Sequence, residues 1–171
     1  MIRFIQILIF VLISIGNAQK SNSIDFVIKN LGVNVDGHFN SFEINAQFNT
    51  QGDLVSIYGK VEVKSIQTGI ESRDEHLLKE DYFHQSKFQN IILESTSITK
   101  NDDNTYSVLA MLTIKGKTKN ISIPLTIEKQ QSKIFMTSAF EINRKDFGVG
   151  GSSFILGKTV KIRVKHYHNL L

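Results

Sequence analysis

Apolar residues recur at every second position along most of the chain. Ile24, Phe26 and Ile28 alternate with Asp25, Val27 and Lys29, the period of a strand with one buried face. Val33 and Val35 continue the pattern after Gly32, and Asp36–Gly37 reads as a bend before Phe39. Phe42, Ile44, Ala46 and Phe48 are again two apart. Gln51-Gly52-Asp53 is a turn, and Val55, Ile57, Gly59, Val61 and Val63 make a long strand with Gly59 as its expected bulge or bend. Ile91 and Leu93 resume the alternation until the polar turn 101–104. Tyr106, Val108, Ala110, Leu112 and Ile114 form the clearest strand of all, and Lys115-Gly116-Lys117 turns it into Ile121, Ile123, Leu125 and Ile127. Pro124 falls on the opposite face of that strand, so an edge or a local irregularity is expected there. Ile134, Met136, Ser138, Phe140 and Ile142 follow, and Val160, Ile162 and Val164 close the series.

Residues 68–88 break this rhythm and predict a helix. Ser72 and Glu75 stand at N-cap and N3 spacing, a capping box that satisfies two amides of the first turn. Asp74 and Glu75 then sit at the positive end of the helix dipole. Leu77 and Leu78 supply the apolar side, with Phe83 and Phe88 where the chain returns to strand. A second interruption, residues 143–157, holds Gly148, Gly150, Gly151 and Gly157 and predicts an ordered loop across one end of the domain. It lacks the lysine-serine ending and βαβ setting of a phosphate-binding loop. Seven to nine strands joined by short turns, with no βα alternation, predict an all-β antiparallel barrel or sandwich carrying one short helical insert.

The chain has 171 residues, enough for one domain with a real core. It opens with Arg3, an apolar run over residues 4–15, then Gly16 and Ala18, the layout of a secretory signal peptide cleaved after residue 18. The run is 12 residues long, against about 20 for a spanning helix, so a cleaved leader is expected before a retained anchor. The predicted units are a signal peptide, 1–18, and one β-domain, 19–171, exported to the periplasm or beyond. Cysteine is absent, which excludes disulfides, thiolate metal sites and a cysteine nucleophile.

The formal charge of +4 falls to about +3 without Arg3. The basic residues are scattered: Lys115, Lys117 and Lys119 flank one turn, and Lys161, Arg163 and Lys165 alternate on the last strand. A solvated strand face accounts for them; transient contact with anionic lipid is the other reading. No recognition helix or basic arm points to nucleic acid.

Arg73, Asp74 and His76 are the most tempting chemical group. Asp and His two apart on a helix do not share a face, so the expected role of Arg73 or Asp74 is to tie the helix start to the barrel. His166 and His168 share one side of a strand, but no third metal ligand can be identified. His38 and His84 are isolated. Arg144 and Asp146 are expected to form a loop-organising ion pair, or a polar rim. No nucleophile–base–orienter set is readable, so neither an enzyme nor a cofactor is expected.

The segments TGIESRDEHLLKEDYF (68–83), LTIKGKTKNISIPL (112–125) and INRKDFGVG (142–150), with GVNVDGHFNSF (32–42), resemble the YceI-like, polyisoprenoid-binding family over nearly all of the chain beyond the leader. The resemblance implies a lipocalin-like antiparallel β-barrel with an apolar interior, in a bacterial periplasmic protein, holding the isoprenoid chain of a quinone or related polyprenyl compound. Three positions depart from the family pattern: Asn30 where His is usual, Gln89 for Pro and Ala110 for Gly.

On that footing the expected ligand-binding residues are Ile57, Val61, Leu77, Phe83, Ile91, Leu93, Val108, Ala110, Leu112 and Phe140, with Phe147 as a lid contact. His76, Arg144 and Asp146 are the expected polar rim at the cavity mouth. Simple core packing is the competing role for each apolar position. Three functional readings stand together: a binding or carrier protein for an isoprenoid or other long apolar ligand, as a monomer or a homodimer; a filled-barrel structural or stress-related interaction protein; and an isomerase or cyclase using Asn30 or His76.

Overall fold

The computed structural model describes residues 21–102, 104–130, 133–151 and 153–169. The expected leader, 1–18, and its cleavage site lie outside the described residues. Ten strands are present: β1 (Ser23–Asn30), β2 (Val33–Phe39), β3 (Phe42–Phe48), β4 (Leu54–Glu62), β5 (Ile66–Gln67), β6 (Asn90–Lys100), β7 (Thr105–Ile114), β8 (Lys117–Gln130), β9 (Lys133–Asn143) and β10 (Leu156–Asn169). One helix, α1 (Glu71–Leu77), and two short 3-10 turns, Val63–Ser65 and Arg144–Phe147, complete the described elements.

The strands form one sheet in the order β3-β4-β6-β7-β8-β9-β10-β1-β2-β5, and neighbours pair antiparallel, as β1 does with β10 and β2. The sheet curls so that its two ends meet where the chain passes from β2 to β3. There the Asn40 amide donates to the Ser65 carbonyl (3.1 Å) and the Glu62 amide to the Ser41 carbonyl (3.0 Å). The outcome is the expected all-β, lipocalin-like architecture.

The alternation predicts burial best on β7, where Tyr106, Val108, Ala110, Leu112 and Ile114 are all buried. It fails at the start of β4. Gln47 pairs with Ser56 and Phe48 with Leu54, leaving Val55 as the bulged residue. The extra residue reverses the face: Leu54 is buried and Val55 exposed. Gly59, the expected bulge, keeps regular register with Ile44 and Leu93. Gly37 is likewise no bend. It lies within β2 opposite Phe26, and a β-carbon there would come within 2.3 Å of that ring. Pro124 behaves as expected: β8 pairs with β9 only over Thr126–Gln130, so Pro124 has a strand neighbour on the β7 side alone. Its carbonyl is taken by the Ser138 hydroxyl (2.6 Å).

The helix is shorter than predicted and starts differently. Its N-cap is Ile70, no side chain caps it, and Ser72 lies inside the first turn. Asp74 anchors the helix start instead. Buried and turned back, it accepts from the Thr68 amide (2.9 Å) and the Thr68 hydroxyl. Arg73 closes the clamp, donating Nε to the Thr68 hydroxyl (2.7 Å) and Nη2 to its carbonyl (2.6 Å). The expected tie between helix and barrel is therefore made at the residue following β5. Beyond Leu77 the chain turns irregularly, with His84 at a left-handed φ of 51°, and returns Phe83 to the wall.

Candidate functional site: an apolar cavity with a one-sided mouth

The curled sheet encloses a cavity of 570 Å3, within the roughly 300–1,000 Å3 usual for small-molecule sites. The alternation builds its wall. Ile57, Gly59 and Val61 face it from β4, Ile91 and Leu93 from β6, Val108 and Leu112 from β7, and Phe140 from β9. Leu77 and Phe83 close it from the helical insert and Phe147 from the Gly-rich segment. Gly59 leaves a gap in this wall: the nearest atom to a β-carbon there is Leu93 Cβ, at 3.6 Å.

Ala110 does not line the cavity. It is buried in the cluster with Tyr106, Ile127, Ile134 and Met136 that fills one end of the barrel. The expected set also omitted much of the wall. Ile24, Phe26 and Ile28 of β1 and Val160, Ile162 and Val164 of β10 line it. Their period-two pattern was legible; what it did not reveal was that β1 and β10 are adjacent across the sheet.

Three wall residues are also solvent-exposed and so mark the mouth: Ser72 and His76 on α1, and Ile155 before β10. His76 packs edge-on to Tyr82, with ring centroids 5.0 Å apart. Asn30 reaches the wall beside this opening, paired with Leu156.

Arg144 lies beneath the rim and is 3% exposed. No ion pair with Asp146 forms; Asp146 is exposed and off the wall. The guanidinium instead donates to five backbone carbonyls: Nε to Gly157 (2.8 Å), Nη1 to Val149 (2.7 Å) and Gly151 (3.3 Å), and Nη2 to Leu156 (2.9 Å) and Ser153 (3.2 Å). A planar fork of five donors suits this cage. Burial pushes its pKa down, yet an arginine so hydrogen-bonded stays charged. Arg144 thus organises the loop, as expected, but through carbonyls. Left-handed Gly148 and Gly150 (φ 69° and 71°) let the chain wrap around it.

At the far end His166 is buried and lines the cavity. Its Nδ1 has no hydrogen-bond partner among the described residues. Burial, and then the neighbouring His168, hold its pKa below the ordinary value, so the ring is neutral at pH 7. His168 packs against Phe48, with centroids 5.2 Å apart. Among the described residues, no three His, Asp or Glu side chains converge on a metal position. Of the polar groups on the wall, Arg73, Ser138 and Arg144 donate to backbone carbonyls and Ser153 accepts from the Leu156 amide; most of the lining is apolar, which makes a chamber suited to an apolar guest.

The fold and the chamber define a class: a lipocalin-like antiparallel cup around an apolar cavity. The YceI-like domain matches residues 17–166, and the chain belongs to that family. A UPF0312 protein of Yersinia pestis is 35% identical over 111 residues, which cover 63% of this chain and 54% of that protein. The match to these Yersinia relatives therefore spans about half their length. A UPF0312 protein of Staphylococcus aureus is 29% identical, covering 82% of this chain and 88% of that one. Among solved structures, Burkholderia cenocepacia BcnA superposes with a TM-score of 0.81 at 22% identity, covering 86% of this chain and 96% of its own. A polyisoprenoid-binding domain from Saccharophagus degradans, implicated in plant cell wall breakdown, gives 0.71 at 15% identity, covering 88% and 94%. These two structures establish likeness of fold.

Proposed function

We propose that this protein is a binding or carrier protein that encloses an isoprenoid, or another long apolar molecule, in its cavity. One observation carries the reading: a 570 Å3 space walled by alternating aliphatic and aromatic side chains from most of the sheet. Removing the ligand's apolar surface from water yields about 25 cal/mol per Å2, with little discrimination of chain length. A barrel serving only as a partner-binding surface has no need of such a space, so the cavity favours the carrier over the filled interaction protein. Membership of the YceI-like family supports the same reading, as does the polyisoprenoid-binding relative in fold. The proposed enclosure is reversible and non-covalent, without a cofactor or a chemical step. The layout of residues 1–18 supports export before the protein acts.

Native mass spectrometry of the protein isolated from its own cells, followed by organic extraction, tests this directly. The expected result is a mass excess that extracts as a polyprenyl compound or isoprenoid quinone. A protein that carries no adduct, and takes up no added polyprenyl alcohol, overturns the reading. The same spectrum reports whether the protein is a homodimer.

A further inference from the structure

One rim of the mouth is apolar on its outside as well as its inside. Phe154 is 100% exposed, Leu31 72%, Val33 67% and Ile155 55%. They are contiguous: the Leu31 amide donates to the Ile155 carbonyl (2.9 Å), and Asn30 pairs with both Val33 and Leu156. Ile155 belongs to the cavity wall as well, so the exposed patch runs over the lip into the chamber at that residue.

Turn chemistry does not explain Leu31. The β1–β2 hairpin turns through Leu31 and Gly32 with successive positive φ values, 51° and 82°, the signature of a turn that favours Asn, Asp or Gly at both centres. A leucine there is strained, and its side chain gains no burial in return. A strained, exposed leucine beside three other exposed apolar side chains fits a surface that something else covers.

We propose that this lip, made by the β1–β2 turn and residues 153–155, docks on an anionic lipid bilayer. The proposal rests on the cavity holding a membrane-soluble guest, which must leave and re-enter a bilayer. The charges nearest the lip are complementary to such a surface. The two segments that build the lip, 28–35 and 147–160, carry Lys29 and Lys158 and no carboxylate. Both lysines are exposed, where they can meet lipid phosphates while the apolar tip enters the interface. Glu71, Glu75, Glu80 and Asp81 belong to the helical insert, whose Asp81 carbonyl accepts from the Gly150 amide (2.9 Å), so the β1–β2 hairpin, and not the insert side, leads the approach to the bilayer. The basic strand considered from the sequence is a weaker candidate. Lys161 and Arg163 lie on the outer wall, paired across the sheet with Glu141 and Asp25, and Lys161 reaches Glu141 at 3.7 Å.

The chain contains no tryptophan, so Phe154→Trp in the full chain reports the lip alone. With mixed phosphatidylcholine/phosphatidylglycerol vesicles its emission should shift to the blue and be quenched by brominated acyl chains. The effect should weaken with phosphatidylcholine only and vanish when Leu31→Asp is added. Unshifted emission with anionic vesicles overturns the proposal. So does a shift that needs no vesicles, grows with protein concentration and accompanies a doubled mass, because the lip then belongs to a second copy. A shift insensitive to Leu31→Asp also overturns it. Failure of the carrier reading looks different: the emission still shifts, but no polyprenyl compound is taken up.

Discussion

His166 is a residue whose side chain has room on one side and no partner on the other. An imidazole held neutral by burial makes the folded state take up its proton later than the unfolded chain as pH falls. Stability is therefore complete above the ordinary histidine value of 6.5 and is lost from there down through the lower native value. His166→Leu removes that linkage together with the unpartnered Nδ1. Urea unfolding at about pH 7.5 and about pH 5.5 should show a smaller loss of stability on acidification in the variant than in the parent. An equal loss in both would mean that His166 titrates normally in the fold. Arg144 presents the opposite case: its charge is as deeply buried, but every direction of its fork is answered by a carbonyl, so it needs no carboxylate.

At the scale of elements, the helix is held from outside itself. A seven-residue helix is too short to be stable alone, and the Thr68–Arg73–Asp74 clamp fixes it to the end of β5. Asp74→Ala strips two acceptors from Thr68 and should cost about 1–3 kcal/mol. Ser72→Ala, at an exposed position within the first turn, should stay within about 0.5 kcal/mol. Chemical denaturation of the pair decides the matter: a larger cost at Ser72 would restore the capping box. The capping pattern misled because S-x-x-E spacing is met by chance inside a helix, whereas the real clamp reaches back six residues to Thr68. Local spacing does not record that reach.

For the whole molecule the decisive quantity is empty volume. Gly59 sits at a regular strand position, its wall-facing side open apart from Leu93. Gly59→Leu therefore places a side chain in the cavity without backbone strain and lifts the glycine's entropic penalty of roughly 0.5–1 kcal/mol. The variant should unfold at the same temperature or higher, while its affinity for a polyprenyl alcohol falls by about tenfold or more. Undiminished affinity in a folded variant would place the ligand elsewhere. Ten of the eleven apolar positions read from the pattern do face the chamber. Ala110 does not, although Val108 and Leu112 on either side of it do: its methyl group is short and lies buried among the larger side chains of its cluster.

What the amino-acid order determined alone was local. Period-two alternation settles which face of each strand is apolar, and polar and glycine turns settle where strands end, because both depend on neighbours a few residues apart. Tertiary structure decided the rest. The bulge at Val55 exchanged inside for outside, β1 met β10 across more than a hundred residues, and Arg144 found carbonyls in place of Asp146. Whether an apolar face ends in contact with another or beside a cavity depends on how far the curled sheet holds its walls apart. No single strand encodes that distance; it arises from the twist and register of all ten.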